Sequence, residues 1–405
     1  MTFKVKTKGQ IEGGKMLVPK LRFKEFNNNW NNEKISNAFA LSSGSTPNTK
    51  QRFFYTGNIN WVSSGELKRK YIVDTINKVS NIAIEKNNLK IYDIGTLLIA
   101  IYGLEASGVR GTCSILNIKA TISQACMALE SKNNISNEFM YYWYQKNGQW
   151  IGLRIAQGTK QQNLTAELIG NLEVEYPSID EQEKIVNFLS LLDKKIELQK
   201  QKIEALKIYK KGLINKLLNS NDTLNWNHIK LNDILLPGSK EKVLDTSKFQ
   251  KINIKLNLKG LFKNNSNREM ADTRPFYIRN VNEIIIGKQN YFNGSIAIVT
   301  NDFDGCICSN AIMSFSIKND NPKFIYYYIS QPNYIKKRAF LANGTGQKEL
   351  SEKEFLNFEI YLPSIEEQNY IVNILDFVES KFNIENSKYE DLKLIKKSLL
   401  QQMFI

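Results

Sequence analysis

Pro177-Ser178-Ile179-Asp180-Glu181-Gln182 returns as Pro363-Ser364-Ile365-Glu366-Glu367-Gln368, 186 residues further along the chain. At the same offset Ile185-Val186-Asn187 returns as Ile371-Val372-Asn373, and Gly158-Thr159-Lys160-Gln161 matches Gly344-Thr345-Gly346-Gln347. Phe139-Met140-Tyr141-Tyr142 resembles Phe324-Ile325-Tyr326-Tyr327 with a slip of one residue, and Asn29-Trp30-Asn31 resembles Asn225-Trp226-Asn227. A chain written twice in this way folds as two copies of one plan. Between the anchors the halves differ greatly, so each copy carries a variable globular segment and a shared tail.

The tail reads as a helix. Ser178 suits the N-cap, and Asp180, Glu181 and Glu183 complement the positive end of the dipole. Apolar residues follow a heptad, with Ile185, Leu192, Leu206 and Leu213 on one row and Leu189, Ile196, Ile203 and Leu217 on the other. The second tail repeats the pattern as Ile371, Val378, Leu392 and Leu399 beside Leu375, Phe382, Tyr389 and Met403. Even the polar interruptions agree: Gln199 and Lys210 map onto Glu385 and Lys396. Two such seams are expected to pair with each other as an antiparallel coiled coil about 50 Å long, at ~1.5 Å per residue. Antiparallel pairing avoids returning the chain the full helix length. The lysines of the outer faces (Lys194, Lys195, Lys200, Lys202, Lys207 and Lys211) read as a solvated surface.

The expected organisation is a flexible extension over 1–20, globular segments over 21–177 and 221–363, and helices over 178–220 and 364–405. Each globular segment reads as mixed α/β (α+β), with strand candidates at 95–102, 114–118 and 295–300. Asn147-Gly148, Asn293-Gly294, Asp304-Gly305 and Asn343-Gly344 read as turns. The aromatic clusters 139–144 and 324–328 are core-facing helices or, alternatively, base-stacking platforms.

Lys and Arg total 55 against 40 Asp and Glu, a net charge of +15 that suits a polyanionic partner such as nucleic acid. No apolar run approaches the ~18 residues of a membrane span, and the expected location is the cytoplasm. Four cysteines and a single histidine, His228, supply neither a disulfide framework nor a zinc site. Gly103-Leu104-Glu105-Ala106-Ser107-Gly108 has the first spacing of a phosphate loop but continues as Val109-Arg110. Asn321-Pro322-Lys323-Phe324 departs from an amino-methyltransferase motif at its lysine and reads as a helix entry. The sequence therefore describes a chain that binds, with no catalytic site of its own.

In order along the chain stand Val18-Pro19-Lys20-Leu21-Arg22-Phe23, Gly44-Ser45-Thr46-Pro47, Trp61-Val62-Ser63-Ser64-Gly65-Glu66-Leu67, the Gly-Thr-x-Gln stretches, the two Pro-x-Ile-x-Glu-Gln helix starts, and Lys210-Lys211-Gly212-Leu213. This ordered set resembles the specificity subunit of type I restriction–modification systems. The second half lacks the Gly-x-Thr-Pro and Trp…Gly-Glu-Leu elements. The resemblance implies two target-recognition domains, each reading half of an asymmetric bipartite site in double-stranded DNA. It also implies helices that act as spacer and dock two methyltransferase subunits, joined by nuclease–translocase subunits. S-adenosylmethionine, ATP and Mg2+ would belong to those partners, and none to this chain. Within the first domain the candidate DNA contacts are Lys68, Arg69, Lys70, Arg110, Lys160 and Gln161; within the second they are Lys336, Lys337, Arg338 and Lys348. Each of these is equally readable as a solvated charge. The alternative to this reading is a self-sufficient DNA-binding protein with a coiled-coil dimerisation stalk.

Overall fold

The computed structural model describes residues 3–5, 17–132, 134–158, 162–219, 225–264, 274–338 and 349–405. The chain forms two compact units, one of residues 1–200 with 387–405 and one of residues 201–386. The division falls inside both long helices and not at their junctions with the globular segments, because each unit includes half of either helix as part of its own core.

In the first unit the strands β1 (Phe39–Ser43), β2 (Tyr71–Ile72), β3 (Leu97–Ala100), β4 (Cys113–Leu116) and β5 (Cys126–Ser131) form one sheet in the order β1-β5-β3-β4-β2. All pairs are antiparallel except β2 with β4, which is parallel. Every residue of β3 and β4 is buried, as suits central strands; the Ser114 hydroxyl in β4 donates to the Arg69 carbonyl at 2.6 Å. Helix α1 (Asn137–Arg154) packs on the sheet, its N-terminus capped by the Ser136 hydroxyl. All six residues of 139–144 are buried, so this cluster is core and not a stacking platform. Asn147-Gly148, read as a turn, continues α1 instead. Gly148 is needed there for close approach: a Cβ on it would lie 2.7 Å from the Tyr144 ring and 3.0 Å from the Cα of Gly111. The extension read as flexible also contains order: Phe3–Val5 pairs antiparallel with Leu21–Phe23 and so covers an otherwise open strand edge.

Helix α2 (Ile179–Asn219) follows, at 41 residues or about 60 Å. In the second unit β6 (Leu235–Pro237), β7 (Ile284–Gly287), β8 (Ile296–Ile298) and β9 (Ile312–Ile317) form a four-stranded antiparallel sheet in the order β6-β9-β7-β8. Helix α3 (Pro322–Ile329) packs on it, with Asn321 as N-cap and Pro322 in the first turn, as the helix-entry reading expects. Gly294 and Gly305 take φ values of 72° and 70°, the left-handed turns expected at Asn293-Gly294 and Asp304-Gly305. The turn read at Asn343-Gly344 lies outside the described residues. Helix α4 (Ile365–Met403) completes the chain.

The two long helices run antiparallel. In the first unit Asp193 of α2 pairs with Lys396 of α4 at 2.6 Å. In the second, Lys210 of α2 pairs with Glu379 of α4, and Lys202 pairs with Glu385 at 2.9 Å. As the residue number rises along one helix it falls along the other. None of the sixteen residues of the two heptad rows is exposed, and Ile185, Leu189, Ile203, Ile371, Leu375, Val378 and Met403 are fully buried.

Candidate nucleic-acid interface

In each unit a glutamine at the start of a long helix holds the aromatic helix in place. The Gln182 amide donates to the carbonyls of Asn134 (2.7 Å) and Pro177 (3.0 Å), and its oxygen accepts from the Ser136 backbone amide (3.0 Å). Its counterpart Gln368 donates to the Pro363 carbonyl (3.0 Å) and Asp320 (2.9 Å) and accepts from the Asn321 backbone amide (2.9 Å). Both side chains are fully buried. Each thus satisfies the N-cap residue of α1 or α3, and fixes the globular segment to the helix pair. Trp30 meets Phe139 edge-on at 5.9 Å, and Trp226 meets Phe324 edge-on at 5.8 Å, so the same aromatic contact closes each unit. Sequence reasoning used these glutamines and tryptophans as repeat anchors without assigning them a role. Their return in both halves was the available signal.

Four of the candidate DNA contacts stand exposed. Lys68 and Arg69 follow a turn that Glu66 organises by accepting from the Ser63 amide (2.9 Å), the Ser63 hydroxyl (2.8 Å) and the Ile76 amide (2.8 Å). Lys336 and Lys337 end the helix Pro332–Lys337, where cations complement the dipole. Arg110 is half-buried, its stem against Gly152 and its Nη2 donating to Gln162 at 2.7 Å. Lys160, Gln161 and Lys348 lie outside the described residues.

Two candidates make contacts within the fold. Lys70 turns inward: its ammonium pairs with Glu138 at 2.6 Å, donates to the Ser190 hydroxyl at 2.9 Å, and lies within 5.7 Å of the ring centres of Tyr71, Tyr141 and Tyr142. An ammonium so placed between carboxylate and aromatic faces is engaged by the fold itself. Arg338 likewise stacks 3.5 Å from the Tyr334 ring centre and donates to the carbonyls of Tyr334 (3.1 Å) and Glu359 (3.0 Å).

Among the described residues no cluster of His, Cys, Asp and Glu could hold a metal ion. The four cysteines are free and buried, and burial pushes the Cys113 and Cys126 thiols up to about 12. His228 is exposed and stacks on Tyr361 at 4.9 Å. No described helix is long and apolar enough to cross a membrane.

A family profile described as type I restriction modification DNA specificity domain matches residues 27–207 and 223–394. The type I restriction enzyme MjaIX specificity subunit of Methanocaldococcus jannaschii is 25% identical over 367 residues, which cover 82% of this chain and 83% of that protein. The fold is shared with the crystal structure of a type I restriction–modification S subunit from M. genitalium, at a TM-score of 0.61 and 19% identity over 96% of this chain and 99% of that one. A chain from a structural study of complex assembly and conformational transition in a type I restriction–modification system is similar at a TM-score of 0.55 and 12% identity, covering 93% and 97% of the two chains.

Proposed function

Because the chain belongs to the type I restriction–modification DNA specificity family, we propose that each globular segment reads one half of an asymmetric bipartite site in double-stranded DNA. On this reading α2 and α4 set the spacing of the half-sites and dock two methyltransferase subunits. The observation that carries it is one frame used twice under different surfaces. The glutamine clamps, the tryptophan contacts and the ion pairs of the helices recur 185 to 196 residues apart, whereas the sheets above them differ in strand number. Two readers of unlike surface on like frames suit a target whose halves differ, and repeated helix faces suit two copies of one partner. Lys68 and Arg69 in the first reader, and Lys336 and Lys337 in the second, are exposed cations available for phosphate or base contact. S-adenosylmethionine would belong to the methyltransferase subunits, and ATP with Mg2+ to nuclease–translocase subunits.

The test is to exchange residues 21–177 for the equivalent segment of a relative and to map methylated sites across a genome. One half of the recognised sequence is expected to change while the other half stays. A change in both halves would refute independent readers.

A further inference from the structure

One turn is held by an indole in the first unit and by a buried guanidinium in the second. After β1 the Gly44 amide donates to the Cys126 carbonyl (3.2 Å), and the Ser45 carbonyl accepts from the Trp61 indole (3.2 Å). After β6 the Gly238 amide donates to the Ser314 carbonyl (2.8 Å), and the Ser239 carbonyl accepts from Arg279 Nη1 (3.2 Å). An indole has one N–H, and this bond uses it; a guanidinium has five. Arg279 is 3% exposed. Its Nε donates to the Cys308 sulfur (3.0 Å) and its Nη1 also to the Ile278 carbonyl (3.3 Å), while Nη2 meets no acceptor among the described residues. No described carboxylate forms an ion pair with it. The buried Glu283 takes its bonds from the Ser314 hydroxyl (2.5 Å) and the Asn280 amide (3.2 Å) instead.

Arg279 lines a pocket of about 220 Å³, with Lys240, Tyr277, Lys288, Asn310 and Glu352 among its other walls. The pocket lies where β6 and β7 end and β9 begins. From there β9 runs toward Asn321, where Gln368 fixes the segment to α4, so the pocket occupies the end of the sheet away from that clamp. Its lining carries three cations against one carboxylate. Lys240 pairs with that carboxylate, Glu352, at 2.8 Å, and Lys288 lies 3.9 Å from the exposed Glu349. The guanidinium behind them keeps a charge without a counter-ion and a donor without an acceptor, which is costly to bury unless a ligand supplies both.

We propose that this pocket seats one backbone phosphate of the DNA half-site read by the second unit, with Arg279 Nη2 donating to an anionic oxygen and Lys240 and Lys288 beside it. The inference rests on the reading of each globular segment as a DNA reader. A base edge lies inside its groove and is met by side chains that project, whereas a phosphate oxygen projects from the duplex and enters a recess. A phosphate also brings the negative charge that the guanidinium lacks. In the first unit the uncharged Trp61 stands in that place, so the seat belongs to the second reader.

The test uses the complex of the full chain with its methyltransferase subunits, and duplexes carrying the recognised site. Neutral methylphosphonate linkages are placed one at a time along the half-site that survives exchange of residues 21–177. One linkage is expected to weaken binding about tenfold, the loss of one hydrogen bond to a charged group. Arg279→Met is expected to weaken binding to every duplex by a similar factor and to abolish the effect of that linkage. It should also reduce the slope of log affinity against log salt by about 0.9. Lys288→Met should act in the same way more weakly, and it decides together with the linkage scan if Arg279→Met does not fold. The proposal is overturned if no linkage in that half-site loses its effect in either variant, or if a folded Arg279→Met binds like the parent chain. A changed preference at one base pair with an unchanged salt slope would make Arg279 a base contact and overturn it too. So would stabilisation by inorganic phosphate that Arg279→Met abolishes without any change in DNA binding, because the seat would then hold a free anion. Absence of any half-site belonging to the second segment is a separate outcome, which would overturn the DNA-reader assignment and the proposal with it.

Discussion

In the first unit the sheet has five strands and its β4 edge is covered by β2; in the second the sheet has four strands among the described residues and ends at β8. Below the sheets the units agree closely. Gln182 and Gln368 make the same clamp, and the Asp193–Lys396 and Lys210–Glu379 pairs are the same contact with the helices exchanged. The difference teaches where the chain tolerates divergence. Positions that fix a globular segment to the helix pair are held in common. The outer edge of the sheet is closed by a paired strand in one unit, whereas in the other the described sheet ends at β8. The second half lacks the Trp…Gly-Glu-Leu element, and in the first half that element leads directly into Lys70 and β2.

The sharpest break in the comparison lies at the start of the long helices. Arg22 and Glu181 form a bidentate pair, both bonds 2.7 Å, with side chains 5% and 1% exposed. The counterpart Glu367 is exposed and accepts from the Trp226 indole at 3.2 Å. Glu181→Gln leaves a buried guanidinium without its counter-charge and should cost about 3–5 kcal/mol. Glu367→Gln keeps the accepting oxygen and should cost less than about 1 kcal/mol. Urea denaturation of both variants decides the matter, and equal losses would mean that burial does not separate the two sites.

The glutamine clamps should behave alike. Gln182→Ala and Gln368→Ala each strand a backbone amide and leave a void in a fully buried site, so each should cost about 2 kcal/mol. If one variant lost stability and the other did not, the shared frame would be a likeness of geometry without a likeness of energy. The sequence already displayed this frame: the repeat, the heptads, their shared defects and the helix entry at Asn321 could all be read from residue pattern. It did not display which cations face inward. Lys68, Arg69 and Lys70 are three consecutive basic residues, and only the fold tells that the third is enclosed by Glu138, Ser190 and three tyrosine rings. Asn147-Gly148 misled for a related reason. The dipeptide has turn chemistry, but packing against Gly111 uses its missing side chain inside a helix. Tertiary contacts of this kind leave no local periodicity to find.

The smallest effect concerns the ion pairs that replace apolar residues in the helix seam. Asp193–Lys396 is 23% and 16% exposed, and Glu379–Lys210 is 36% and 29% exposed, so double-mutant cycles should return only about 0.5–1 kcal/mol for each. Their value is as a register mark. Asp193→Lys sets two ammonium groups against each other, and adding Lys396→Glu reverses the pair; Glu379→Lys with Lys210→Glu does the same in the second unit. The two reversals should not be equally complete. Asp193 also accepts from the Tyr142 hydroxyl at 2.8 Å, a bond that a lysine there cannot accept. In the second unit the matching hydroxyl, Tyr327, donates to Asp376 at 2.8 Å and leaves Glu379 to Lys210. Charge reversal should therefore restore nearly all stability at Lys210 and Glu379, and fall short by about 1 kcal/mol, one hydrogen bond to a charged group, at Asp193 and Lys396. Thermal denaturation of the four single and two double variants measures it. Double variants no more stable than their worse single would show that these residues do not face one another, and the antiparallel register would fall with them.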